Sequence, residues 1–143
     1  MRCLTSALTL IASSRSLYIP DDLPQLYVHE VEPLEYVSLK RGRFTMHYLY
    51  TIEGADQWEF MIYLQRYMEE GDVLELLYIE NQNDSMHDHL PSTPLLEPIE
   101  INIRQRTYQT IHGTFQLSAN DWMQELYHRS YLTAFGVTTI VKY

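Results

Sequence analysis

Two stretches decide the fold: Ala55-Asp56-Gln57-Trp58-Glu59-Phe60-Met61-Ile62-Tyr63-Leu64-Gln65-Arg66-Tyr67-Met68 and Ala119-Asn120-Asp121-Trp122-Met123-Gln124-Glu125-Leu126-Tyr127-His128-Arg129-Ser130-Tyr131-Leu132. In each, apolar side chains return at intervals of three and four, the period of a helix with one face turned to a core. The inward stripe of the first is Phe60, Met61, Leu64, Tyr67 and Met68; that of the second is Trp122, Met123, Leu126, Tyr127 and Ser130. Asp56 and Glu59 stand at capping-box spacing and Gly71 suits the left-handed residue beyond a helix end. The first helix is therefore expected to begin within 54–59 and stop just before Gly71. The second is expected to begin near Ser118 to Asp121 and run to about Leu132.

Strand patterns flank both helices. Phe44, Met46, Tyr48, Tyr50 and Ile52 alternate along one strand, and Val73 to Glu80 returns after the first helix. Ile99, Ile101 and Ile103 alternate with Glu100, Asn102 and Arg104, the mark of a half-buried strand. Thr107 to Leu117 reads as one more strand, with Ile111, Phe115 and Leu117 inward and a bulge at Gly113, and Val137 to Tyr143 closes the sheet. Before the first helix, Leu4 to Ala12 reads as a strand and Tyr18 to Pro24 as a rigid loop held by two prolines. Leu26 to Val31 and Leu34 to Lys40 read as short extended runs. The turn Lys40-Arg41-Gly42-Arg43 leads into the strand at Phe44, and Asn81 to Pro98 is a long irregular connection.

The two helical units can be superimposed by position. Each tryptophan follows an alanine by three residues and precedes tyrosines by five and nine, Tyr63 and Tyr67 in one unit, Tyr127 and Tyr131 in the other. Two explanations stand: chance likeness between amphipathic helices, or duplication of a βαβ unit into a ferredoxin-like core with extra N-terminal strands. In either case the expected fold is α+β, one domain over residues 1–143, with a mostly antiparallel sheet and two helices on one face.

The 143 residues are 45% hydrophobic and 13% aromatic, enough for a substantial core. Twelve tyrosines need wet edges or hydrogen-bond partners, which suggests a tyrosine-rich contact surface. The formal charge of −9 repels phosphate backbones and disfavours nucleic-acid binding. A lone cysteine, Cys3, forms no internal disulfide, so a cytoplasmic home is expected. The segment from Met1 to Ser14 has the outline of a secretory leader, but Thr5, Ser6 and Thr9 interrupt it and a first strand is the better reading. No apolar run approaches the roughly 18 residues of a membrane span.

Chemistry-bearing clusters are few. His87 and His89, two apart on an extended segment, point the same way, and Asp84 adds an oxygen, so these three are the candidate metal ligands. Against them stands an ordinary solvated loop. Lys40, Arg41, Arg43, Arg104 and Arg106 make up half of the ten basic residues and fall in two turns, a candidate site for an anion or an acidic partner. Charge at such positions also blocks edge-to-edge aggregation. Glu69, Glu70 and Asp72 crowd the C-terminal end of the first helix, against its dipole, where a cationic partner or plain solvation would accommodate them. Trp58 and Trp122 are expected in the core rather than stacked on a ligand. No GxSxG elbow, P-loop, GxGxxG or zinc-finger spacing is present, and no cofactor is expected. The expected function is a small non-enzymatic domain that binds a protein partner or itself. The alternative is a small-ligand or metal-binding enzyme or sensor that uses the 81–98 loop.

Overall fold

The described residues build one eight-stranded sheet with two helices on one of its faces. The structure, a computed structural model, describes residues 8–30, 44–79, 99–129 and 137–143. In chain order the elements are β1 (Leu8–Ser13), β2 (Tyr27–Glu30), β3 (Tyr48–Glu53), α1 (Trp58–Arg66), β4 (Val73–Ile79), β5 (Ile99–Asn102), β6 (Thr107–Thr110), β7 (Gly113–Gln116), α2 (Trp122–His128) and β8 (Val137–Val141). The strand order is β2-β3-β1-β4-β8-β5-β6-β7. Every neighbouring pair is antiparallel except β5 and β8. This is the expected α+β class with a mostly antiparallel sheet.

The order departs from a ferredoxin-like interleaving of two equivalent halves. β3, α1 and β4 straddle β1, whereas β7, α2 and β8 straddle both β5 and β6, and the halves meet side by side at β4 and β8. The N-terminal strand β1, expected as an extra strand beside the two βαβ units, lies between β3 and β4. Its residues explain the placement. Leu10, Ile11, Ala12 and Ser13 are each at most 1% exposed, an uninterrupted run that only a strand covered on both faces tolerates.

Both helices share one core. Phe60, Met61 and Leu64 of α1 and Trp122 and Leu126 of α2 pack on Ile11, Leu74, Leu76, Ile101 and Ile140 of the sheet. Trp58 meets Tyr127 edge to face at 5.3 Å, which joins the helices directly. At nine and seven residues these helices are too short to persist alone, since isolated helices under ~12–15 residues are marginal in water. Burial of each large apolar side chain contributes ~1.5–3 kcal/mol, so the packed face holds them. On the opposite face Leu10, Ala12, Leu49, Leu77 and Val141 are also buried, and with them one carboxylate, Glu75, only 6% exposed. Glu75 accepts hydrogen bonds from Thr45 N (2.8 Å), Thr45 Oγ1 (2.8 Å) and Met46 N (3.1 Å).

Several boundaries differ from expectation. Tertiary bonds override the strand pattern at Phe44 to His47: Thr45 and Met46 bond to Glu75 and pairing begins only at Tyr48. Residues 107–117 form a hairpin rather than one bulged strand. Ile111 and His112 make its turn and Gly113, at φ 136°, adopts a backbone that side chains disfavour. Ile111 and Phe115 are consequently 64% and 41% exposed rather than inward, while Leu117 is buried. The Asp56–Glu59 capping box does not form; the N-cap is Gln57, without a side-chain cap. Helix α1 stops at Arg66, well before Gly71, and Lys142 Nζ, from beyond β8, satisfies the carbonyls of Leu64, Gln65 and Met68 that the end leaves free. Gly54 is needed where it stands: at φ 93°, an added Cβ would lie 2.4 Å from the Gln25 carbonyl oxygen.

Candidate functional site

Two places on the described surface combine geometry with unused bonding capacity. The first lies where β1 ends. The polar run Ser13-Ser14-Arg15-Ser16 leaves the sheet beside the C-terminal end of α1, because Ser14 exchanges bonds with Val73, its N–H donating to the Val73 carbonyl (3.0 Å) and its Oγ accepting from Val73 N (3.1 Å). A cavity of about 160 Å³ opens there, lined by Ser13, Arg15, Leu17, Tyr63, Met68 and Leu74 among others. Arg15 Nε donates to both oxygens of Asp72, at 2.9 and 3.0 Å, and Arg15 Nη2 lies 3.8 Å from Glu69. The bond to Asp72 raises the guanidinium pKa above its ordinary value. Asp72 also accepts Glu69 N at 2.8 Å, so its oxygens are committed to the turn.

Tyr63, 5% exposed as a residue, is among the residues lining this cavity, and its hydroxyl makes no hydrogen bond to another described residue. Burial pushes its pKa up to about 12, with Arg15 pulling the other way, so the phenol stays a neutral donor across the physiological range. The neighbouring hydroxyls are engaged elsewhere. Tyr67 donates to both oxygens of Asp22 (3.1 and 3.0 Å), which raises its pKa, and Tyr50 accepts the Leu17 amide at 3.0 Å.

The acidic turn after α1 is answered by this chain's own cations. Asp72 and Glu69 face Arg15, Glu70 pairs with Arg104, and Lys142 caps the helix carbonyls. Desolvation lowers the Lys142 pKa, with Asp72 opposing it.

The second place is the edge of β7, which among the described residues pairs with β6 alone. Leu117 N donates to the Arg106 carbonyl at 2.7 Å, which sets the ladder register: Leu117, Phe115 and Gly113 bond inward to β6. The backbone N–H and C=O groups of Thr114 and Gln116 therefore point away from the sheet. All four β7 residues are exposed. Arg129 sits over the rings of Tyr108 and Phe115, at 5.1 and 5.4 Å, and forms a cationic shelf beside the edge.

Of the residues singled out from sequence, Arg104 and Arg106 lie in the β5–β6 turn, close to the β7 edge, since the Gln116 side chain donates to the Gln105 and Arg106 carbonyls. Lys40, Arg41, Arg43, Asp84, His87 and His89 lie outside the described residues, as does the 81–98 loop. Among the described residues no group of three or more His, Cys, Asp or Glu side chains is placed to hold a metal. None of the described helices is long and apolar enough to cross a membrane. The tyrosines divide: Tyr50, Tyr63 and Tyr108 are buried, while Tyr18, Tyr27, Tyr48 and Tyr143 are largely exposed.

Sequence reasoning missed Arg15, Tyr63 and Glu75. A signal existed for each: a serine-flanked arginine just past a strand, tyrosines at i and i+4 on an otherwise apolar helix face, and one acid inside Val73-Leu74-Glu75-Leu76-Leu77. Compared with known proteins, the chain matches no family model, no curated protein and no solved structure.

Proposed function

We propose that this chain is a non-enzymatic interaction domain that captures an extended, acidic segment of a partner protein along the edge of β7. The observation that carries the reading is the undecorated edge. Gly113-Thr114-Phe115-Gln116 holds no charge and no proline, although edge strands are ordinarily blunted by such residues, and it presents outward-facing backbone groups. Arg106 and Arg129 beside it favour carboxylates on the incoming strand. A second copy of the chain is the poorer occupant. Two β7 strands paired about a two-fold axis bring the arginines of both copies together, and each copy carries a charge of −9.

The test uses a five-residue acetylated peptide of alternating glutamate and valine, titrated into the labelled protein. Binding is expected with Kd on the order of 0.1–1 mM, because so short a strand offers little area beyond its backbone bonds. Amide shifts should centre on Thr114 and Gln116 and weaken with salt. Thr114→Pro, which deletes a solvent-facing donor and leaves the inward ladder intact, should abolish binding with an unchanged circular dichroism spectrum. Binding that survives Thr114→Pro defeats the proposal. Concentration-dependent dimerisation lost in the same variant would make the second copy the occupant instead.

A further inference from the structure

We infer that the cavity between the end of β1 and the end of α1 is a site for a small monocarboxylate of about six heavy atoms. This goes beyond the β7 edge and shares no residue with it.

Donor chemistry sets the charge of the ligand. Tyr63, a residue only 5% exposed, lines the cavity, and its hydroxyl has no hydrogen-bond partner among the described residues, which leaves a phenol donor for a ligand. The Arg15 guanidinium is fixed through Nε by Asp72, which leaves its Nη groups with weak company: the Tyr67 carbonyl at 3.4 Å and Glu69 at 3.8 Å. A guanidinium anchored on one edge by a carboxylate is preorganised to hold a second carboxylate on its free edge. The two carboxylates that face it among the described residues are accounted for. Both Asp72 oxygens take Arg15 Nε and one also takes Glu69 N, so Asp72 belongs to the wall rather than to the ligand. Glu69 stands at the rim with its side chain 74% exposed, where water screens it.

Size and polarity set the rest. A cavity of about 160 Å³ compares with cavities of ~150 Å³ that hold a six-carbon ring. Leu17, Met68 and Leu74 supply an apolar lining for a short hydrocarbon chain. The carboxylate end meets Arg15 and Tyr63 and the chain lies on those three side chains. Glu69 then acts as the built-in competitor, since an entering carboxylate replaces it at Arg15 Nη2.

That competition gives the test its sign. Sodium butyrate, inorganic phosphate and butylammonium chloride are titrated separately into the labelled full chain at constant ionic strength, with chemical shifts followed at Arg15, Ser16, Leu17 and Met68. Butyrate should saturate, and phosphate, which gains nothing from the apolar lining, should bind at least several-fold more weakly. Tyr63→Phe should weaken butyrate by roughly 5- to 10-fold through loss of one hydrogen bond to a charged group. Glu69→Gln, a change at an exposed rim position that leaves the fold alone, should tighten it by about 2- to 5-fold. A purely structural role for Tyr63 and Glu69 moves neither affinity. Butylammonium binding more tightly than butyrate, phosphate matching butyrate, unsaturable shifts with all three probes, or Glu69→Gln loosening butyrate would each overturn the assignment.

Discussion

Replacing Glu75 by alanine should lower stability by ~3 kcal/mol, and the figure follows from what the carboxylate holds. It accepts three hydrogen bonds, from Thr45 N, Thr45 Oγ1 and Met46 N, at 2.8, 2.8 and 3.1 Å. Hydrogen bonds to a charged group contribute ~1.5–3 kcal/mol each, which gives a gross loss of ~4.5–9 kcal/mol. Two effects reduce it. Removing a carboxylate that is 6% exposed recovers several kcal/mol of desolvation, and Thr45 lies at the surface, where water replaces part of what its donors lose. The net sits near the lower end of the range for breaking a buried charged contact. Urea unfolding should show a reduced midpoint at constant slope, with Tm lower by roughly 10 °C for a chain of this size. Glu75→Gln keeps an acceptor and should fall between wild type and Glu75→Ala. Thr45→Val removes one bond, costs ~1–2 kcal/mol, and should couple with Glu75→Ala rather than add to it. In amide exchange, Thr45 and Met46 should lose protection in Glu75→Ala before any strand does. A loss below ~1 kcal/mol, or strict additivity with Thr45→Val, would refute the view that Glu75 ties segment 44–47 to the sheet.

Three further outcomes are expected. Gly54→Ala should destabilise the fold by at least ~2–3 kcal/mol in urea unfolding, because its Cβ would meet the Gln25 carbonyl at 2.4 Å from a backbone at φ 93°. Raising the Tyr63 pKa from 10.0 to about 12 on folding makes the protonated phenol stabilising. That contribution is whole below pH ~10 and is lost as pH climbs through about 12, by up to ~3 kcal/mol. Unfolding free energies of wild type and Tyr63→Phe at pH 9 and 11.5 should converge or cross by that trend, and parallel pH dependence would contradict it. Lys142→Met should cost ~1–2 kcal/mol and speed amide exchange at Tyr67 and Met68, since the last carbonyls of α1 lose their donor.

How far the sequence speaks for the fold depends on whether a signal is local. The helical stripes through Phe60, Leu64, Trp122 and Leu126 are local periodicities, and the structure buries those four side chains in one core. The alternation of Ile99 and Ile101 is equally local and equally visible. Topology is not local. That β1 inserts between β3 and β4, and that α2 crosses two strands where α1 crosses one, depends on pairings between distant segments. The only trace of it in the sequence is the run Leu10-Ile11-Ala12, apolar on both faces and therefore suited to a central position. The hairpin turn at Ile111-His112 was hidden for a different reason: neither residue is a turn former, and the strand-like alternation of Ile111 and Phe115 belongs to side chains that end up largely exposed.

The candidate sites were legible where a local rule was broken and opaque where the rule was kept. Glu69, Glu70 and Asp72 oppose the dipole of α1, a cost of ~0.3–1 kcal/mol each, and a sequence can register that conflict without naming its resolution. The resolution is tertiary. Arg15 arrives from β1 to take Asp72, Arg104 arrives from the β5–β6 turn to take Glu70, and Lys142 arrives from β8 to take the carbonyls the dipole leaves negative. One short turn thus gathers cations from three distant segments, and of its carboxylates Asp72, 14% exposed and bonded to Arg15 and to Glu69 N, is the one that anchors the fold. Arg15, which lines the cavity, is the member of that set whose bonding is weakest on one side, because Asp72 takes Nε and leaves Nη2 only the Tyr67 carbonyl at 3.4 Å and Glu69 at 3.8 Å. The same acidic turn that looked unfavourable along the chain is therefore what fixes a cation at a cavity that Tyr63 also lines, and that juxtaposition, invisible to any window of sequence, is where a small acid would bind.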